Sequence, residues 1–246
     1  GEYIMTLKKT MTALALVLVF AGTAQAQEAP AGDNKFSATV GAVSQYRFRG
    51  ITQSDERPAL QGSVDWSHSS GIYAGVWASN VDFNDGDEAS VEVDVYGGYK
   101  FAYQGLDLNM GAVGYVYPGA SSNLNYNYYE LLASASHDFG GATVSASFNY
   151  SPNNFGDSGN AEYLGLGATV PIMDSGISFV SSWGHQWIDD ESAYGYPDYS
   201  DWSAGFTYNF RGIDLSLKYV DTSLSNADCA DGCDAAGIFF FSIKFP

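Results

Sequence analysis

From residue 36 to its last residue the chain consists of segments whose apolar side chains return at every second position, and the connectors between them are alternately short and long. A period of two is that of a strand with one apolar and one polar face. In 90–101, Val91, Val93, Val95, Tyr99 and Phe101 share one face while Glu92, Asp94, Tyr96 and Lys100 share the other. The same period runs through 106–110, 202–210 and 213–219, and no helical period interrupts it. The segments number about twelve, with cores at 36–48, 58–68, 72–83, 90–103, 106–117, 126–139, 142–150, 161–170, 177–188, 199–210, 213–221 and 236–245. Most lie near the ~9 to 11 residues that a tilted membrane strand requires.

The connectors separate two ends of one sheet. Those at 69–71, 104–105, 140–141, 173–176 and 211–212 are short and carry Gly and other turn residues, whereas 49–57, 84–89, 118–125, 151–160, 189–198 and 222–235 are longer and acidic or rich in Asn and Ser. Short turns at one end, long loops at the other and an even strand number describe an outer-membrane barrel. A β-sandwich has no reason to keep every second connection short. A water-soluble barrel would turn its apolar face inward. Here the polar parity carries small residues, Ser134, Ser136, Ser145, Ser147, Ser203, Gly205 and Thr207, which suit a hydrated lumen better than a packed core. Aromatic residues on the apolar parity fall into two belts, with Tyr103, Phe139, Phe210 and Phe245 at the short-turn end and Tyr46, Phe48, Trp187 and Trp202 at the long-loop end. The expected fold is therefore all-β, an antiparallel up-and-down transmembrane β-barrel of about twelve strands occupying 36–246.

Residues 5–26 read as a secretory signal: Lys8 and Lys9, an apolar run over 11–21, and Ala24-Gln25-Ala26 as the cleavage site. The run is shorter than the roughly 20 residues of a membrane-spanning helix. Residues 1–4 fit no part of a signal and read as upstream sequence, and 27–35 as a polar periplasmic leader. Export agrees with the cysteines, since Cys229 and Cys233 are close enough to form a small disulfide loop in an oxidising compartment and have no nearby His to complete a zinc site. The charge balance, ten Lys and Arg against 28 Asp and Glu, excludes nucleic acid as a partner.

The stretch Ser44-Gln-Tyr-Arg-Phe-Arg-Gly50 through Gly62, followed by Trp66 and by Gly71-Ile-Tyr-Ala-Gly-Val-Trp77 through Phe83, resembles the opening of the TorF family of porins. The resemblance implies an outer-membrane barrel of a Gram-negative bacterium and brings no catalytic or ligand residues with it. The final strand, with Phe239, Phe241, Ile243 and Phe245 on one face, resembles the aromatic C-terminal strand that such proteins present to the barrel assembly machinery, although Pro246 follows the last aromatic.

Parity assigns Arg47, Arg49, Asp65, Glu92, Asp94, Lys100, Asp107, Glu130, Asp138, Asp214, Lys218 and Lys244 to the lumen as candidate pore-lining residues. Charged rings set ion preference. The acidic excess, extended by Asp55, Glu56, Asp85, Asp87, Glu88, Asp189, Asp190 and Glu191 in the loops, makes the expected function diffusion of small ions or solutes with a preference for cations. The alternative is a barrel plugged by paired lumen charges, structural or surface-binding in role. For Arg47 and Arg49 the plainer reading is salt bridges to neighbouring acids; the functional one is anion contact at the pore mouth. The run 82–88 offers oxygen ligands for calcium but places Gly86 fifth rather than sixth, so it reads as a solvated loop. No catalytic residue, cofactor or metal is assigned: His68 and His137 each follow a Ser that faces the opposite way, and only a cross-strand partner could complete a Ser–His pair for a lipid hydrolase. Mass spectrometry of the exported protein should find its N-terminus at Gln27; a start before Gln27 contradicts the signal assignment.

Overall fold

A computed structural model describes residues 33–84, 86 and 89–246. The signal, most of the leader, and the loop acids Asp85, Asp87 and Glu88 lie outside the described residues. The strands are β1 (Asn34–Val43), β2 (Arg47–Phe48), β3 (Ile51–Thr52), β4 (Ala59–His68), β5 (Ile72–Asn80), β6 (Val91–Tyr103) and β7 (Leu106–Val116), then β8 (Tyr128–Asp138), β9 (Thr143–Ser151), β10 (Ala161–Pro171), β11 (Ile177–Ile188), β12 (Tyr199–Phe210), β13 (Ile213–Thr222) and β14 (Ala236–Phe245). All but β2 and β3 form a closed antiparallel barrel of twelve strands. Each lies beside its sequence neighbour, and β1 closes the circle on β14 with Ala38 opposite Phe245 and Val43 opposite Phe240. Closure leaves no unpaired strand edge, the condition for burying a sheet in hydrocarbon.

The two faces separate by parity. On the outer wall Val64, Val76 and Val95 lie side by side on β4, β5 and β6, exposed by 60%, 45% and 54%. Tyr103, Phe139, Phe210 and Phe245 are exposed at the short-turn end, as are Phe239, Phe241 and Ile243 along β14. An apolar belt this extensive marks a surface that meets lipid or a partner rather than water. The tightest turns follow from the twist of the strands: Gln104 and Gly105 have φ of 51° and 82°, and Arg211 and Gly212 have 54° and 88°, the mirror-image geometry that two-residue hairpins favour.

The expected segment at 72–83 ends as a strand at Asn80, and the larger departure from the expected boundaries is in the first segment. The first barrel strand ends at Val43, not at residue 48, and the chain then turns into the barrel instead of extending its wall. Arg49, with φ of 47°, and Gly50, with φ of 84°, form the tip of a miniature hairpin in which Arg47 faces Thr52 and Phe48 faces Ile51. Tyr46 and Phe48 are thus not part of an upper lipid belt. Tyr46 is buried against Trp77 with ring centroids 5.5 Å apart, and half-buried Phe48 meets Tyr115 at 5.8 Å. The physical reason is burial: inside the barrel these rings meet an aromatic surface that a wall position could not offer. Trp187 and Trp202 do remain on the outward parity.

Placing Arg at position 76, in the middle of the valine row, should cost about 2–4 kcal/mol of stability in a bilayer. Urea unfolding of the Val76→Arg protein in lipid vesicles measures it; an unchanged midpoint would show that this face is not in hydrocarbon.

Candidate functional site

The site is the lumen beneath the long loops, and the segment 44–58 builds it. The Tyr46 amide donates to Ser54 Oγ at 2.9 Å, the Gln53 amide to the Tyr46 carbonyl at 2.8 Å, and the Asp82 amide to the Gln53 carbonyl at 2.9 Å, so the loop is fastened to itself and to the chain after β5. This carries both arginines into the barrel. Arg49 donates to Glu130 Oε2 at 2.8 Å and to Gln186 Oε1 at 2.7 Å, with its guanidinium 4.6 Å from the ring centre of Phe48 and 4.1 Å from that of Tyr163. Glu130 Oε2 also accepts from the Tyr115 hydroxyl at 3.2 Å and from Asn149 Nδ2 at 2.9 Å. Arg49 is 5% exposed and Glu130 1%. A buried pair is tolerable only when its remaining polar atoms find partners, and this one is provided with them.

Arg47, equally buried, donates to the carbonyls of Gly50 and Asp234 at 2.9 and 2.8 Å, to Gln45 Oε1 at 2.8 Å and to Glu56 Oε1 at 2.9 Å. Burial lowers its pKa and Glu56 opposes that shift. Both arginines therefore take acidic partners, the plainer of the two roles weighed from sequence.

A second layer lies above. The connector between β13 and β14 carries a disulfide between Cys229 and Cys233. Both sulfurs belong to residues buried with Ile51, Ile188 and Tyr199, so the bridge is part of a lid over the hairpin and not a stiffener of a free loop tip. The Thr52 amide donates to the Gly232 carbonyl at 2.8 Å and Thr222 Oγ1 to the Cys233 carbonyl at 2.9 Å. Beside the lid, Phe83, Tyr117, Tyr126 and Phe155 from three other loops pack with ring centroids 4.3 to 6.0 Å apart.

Below the hairpin lies a cavity of about 110 Å³ lined by Ser145, Ser147, Ser182, Ser203, Ser216 and Lys218 together with parts of Arg47, Phe48 and Arg49. Glycines keep it open. At Gly165 a Cβ would stand 2.6 Å from Ser147 Oγ, so any larger residue would displace that hydroxyl.

The other sequence-assigned lumen charges do not form one ring. Glu92 and Asp94 are buried in the long-loop half, where the Tyr46 hydroxyl donates to Glu92 Oε1 at 3.3 Å. Asp65 accepts from the Tyr96 hydroxyl and from Ser63 Oγ, and Asp214 from Asn209. Lys100, Asp107, Asp138 and Lys244 are exposed towards the short-turn end, with Asp138 accepting the Gly140 amide in its turn. The structure thus joins Arg49 with Glu130 and gathers most of the remaining charges at two levels, with Lys218 between them in the cavity. Several loop acids have local duties. Asp55 and Asp82 hold Arg57 at 2.7 and 2.6 Å, so the start of the calcium-like run is already occupied by a cation. Asp190 caps a short helix, α1 (Glu191–Tyr194), and hydrogen bonds from the Ser192 hydroxyl and the Ala193 amide hold its carboxyl below the usual range.

Sequence reasoning missed Gln186, Tyr115, Tyr163 and Asn149. All four stand on inward parity, which was the available signal; what no spacing conveys is that Gln186 and Tyr163 meet the Arg49 guanidinium while Tyr115 and Asn149 meet its partner Glu130. The histidines bring another finding: His185 has the cross-strand partner that an adjacent Ser could not provide, Ser200 Oγ at 2.8 Å, between Trp183 and Trp187 on the outer wall. Among the described residues no carboxylate is hydrogen-bonded to its other nitrogen, so the orienting third member of a triad is missing. His68 and His137 bond to Ser70 Oγ and to the Gly105 carbonyl.

Residues 26–240 match the model of a family described as bacterial protein of unknown function (Gcw_chp). No curated protein matches the chain. Among solved structures, an outer membrane channel from Pseudomonas putida F1 is similar with a TM-score of 0.52 at 11% identity, over 88% of this chain and 96% of that one. A protein solved in a study of the in-meso crystallization of membrane proteins is similar with a TM-score of 0.52 at 8% identity, over 85% of this chain and 83% of that one. At these identities the likeness is one of fold, and it is the fold of outer-membrane barrels.

Replacing Arg49 by Met leaves Glu130 buried without its cation and should destabilise the barrel by about 3–5 kcal/mol. The double variant Arg49→Met/Glu130→Gln should recover most of that loss in urea unfolding; equal losses in both would show that the pair is not coupled.

Proposed function

The chain belongs to the Gcw_chp family, and on that premise we propose that it is a gated outer-membrane channel for small ions or solutes in a Gram-negative bacterium. The observation that carries this reading is the construction of the constriction. The barrel is narrowed by a loop, 44–58, whose tip is tethered by side-chain contacts above a hydroxyl-lined cavity. Strand side chains could not withdraw without disturbing the ladder, whereas a loop can open at a fraction of the global stability. The resemblance of 44–83 to the TorF family of porins points the same way. The signal reading of 5–26 supplies export, and the aromatic face of β14 supplies recognition by the assembly machinery, with lipid as the partner of the outer wall.

The acidic balance, 28 carboxylates against ten cations, favours cations at the long-loop mouth. The buried Arg49–Glu130 pair also supports a second reading, a permanently plugged barrel that displays its loops. The two readings part in planar bilayers. Purified protein should give discrete current steps with a cation-leaning reversal potential in a KCl gradient. The Cys229→Ser/Cys233→Ser variant, with a loosened lid, should spend several-fold more time open. Silence of both proteins, each shown to be folded by heat-modifiable gel migration, decides for the plug.

A further inference from the structure

We propose that the cavity under the folded-in loop is a binding site for a short-chain aliphatic carboxylate, held by Lys218. The inference deepens the channel reading and rests on it, because the anion reaches the cavity through the lumen.

The starting point is a cation without a counter-ion in a protein that has acids to spare. Arg47, Arg49 and Arg57 each hold a carboxylate within 2.9 Å. Lys218 points inward from β13, is only partly exposed, and has no ion pair or hydrogen bond among the described residues. Its neighbours in the sheet are Gly205 on β12 and Ile238 on β14, and neither carries charge. The inward carboxylates of these strands stand four residues away along the barrel, roughly 13 Å at the rise of a strand, and both are engaged: Asp214 by Asn209, and Asp201, opposite Thr222, by the Tyr163 hydroxyl at 3.0 Å. Leaving an ammonium unpaired in a confined lumen is costly, and a bound anion removes that cost.

The surroundings of Lys218 define the ligand. An ammonium offers three donors and a serine hydroxyl one; Ser182 and Ser203, joined at 2.7 Å so that one of their two protons stays free, and Ser216 line the same cavity. The Thr207 hydroxyl, opposite Ser216, is buried without a partner among the described residues. One free cation beside neutral donors, with Asp201 at the cavity wall, matches a single negative charge and repels a second. Next to the lysine the lining turns apolar, with Val220, Ile238 and Phe240. A charged head against Lys218 and a short hydrocarbon tail against these three side chains fill both halves, and phosphate fills only one.

The test uses the full chain folded in detergent, titrated calorimetrically with sodium butyrate and separately with sodium phosphate at matched ionic strength. Butyrate should bind saturably. Lys218→Gln should weaken it about tenfold or more, the loss expected for a charge-assisted hydrogen bond, while Lys218→Arg retains it within a few-fold and Lys100→Gln leaves it unchanged. Ser203→Asp, which puts a competing carboxylate in the cavity, should abolish it as well. Butyrate affinity unaltered by Lys218→Gln, no butyrate binding to the folded wild type, or phosphate bound as tightly as butyrate would each overturn the proposal. The two readings fail separately: a barrel silent in bilayers that binds butyrate through Lys218 keeps the site and loses the passage, and a conducting barrel indifferent to butyrate loses the site alone.

Discussion

A guanidinium taken into the middle of a β-barrel has few ways to be stable, and the bond between Arg49 and Glu130 is the one that the upper lumen is arranged around. Glu130 alone would be a buried charge that water could not reach. Arg49 alone would hold the first loop out in solvent, where its own hydration is better. Together, with Gln186 accepting from Arg49, Tyr115 and Asn149 donating to Glu130, and Phe48 and Tyr163 against the guanidinium, they make a folded-in loop the lower-energy arrangement. Tyr46 and Phe48 then exchange water for aromatic walls, and the disulfide-bearing connector finds an apolar hairpin to cover.

The wall itself obeys a simpler constraint. A sheet surrounded by hydrocarbon has to satisfy every backbone group within itself, so twelve strands close on one another and the outer parity becomes valine, leucine and phenylalanine. The inner parity is then free to be small and hydroxylated, and the cavity exists because glycines and serines on β9 to β13 leave it unfilled. The wall supplies Glu130 and Gln186, and the first loop brings Arg49 to them.

The wall was legible in the sequence because its constraint is local. Val91, Val93 and Val95 against Glu92 and Asp94 declare two faces without reference to any other strand, and Gln104-Gly105 declares a hairpin by chemistry alone. The seating of the first loop was not legible because it depends on partners far apart in the chain: 81 residues separate Arg49 from Glu130 and 137 separate it from Gln186. The first strand was extended to residue 48 for a related reason. Tyr46 and Phe48 continue the outward parity of Val40 and Ala42, so a period of two passes unbroken through the point where the chain leaves the sheet. Parity still sent Arg47 and Arg49 to the lumen, by way of a strand that the structure replaces with a hairpin. Only the Arg49-Gly50 pair, needing positive φ at both positions, offered a local sign of that turn.

The first loop lies inside the barrel, and proton NMR in lipid nanodiscs tests this placement without relying on transport. Nuclear Overhauser contacts between the rings of Phe48 and Tyr115, and between those of Tyr46 and Trp77, are the expected result, since their centroids stand 5.8 and 5.5 Å apart. Resonances of Tyr46 and Phe48 at solvent-exposed shifts, with neither contact, would contradict it.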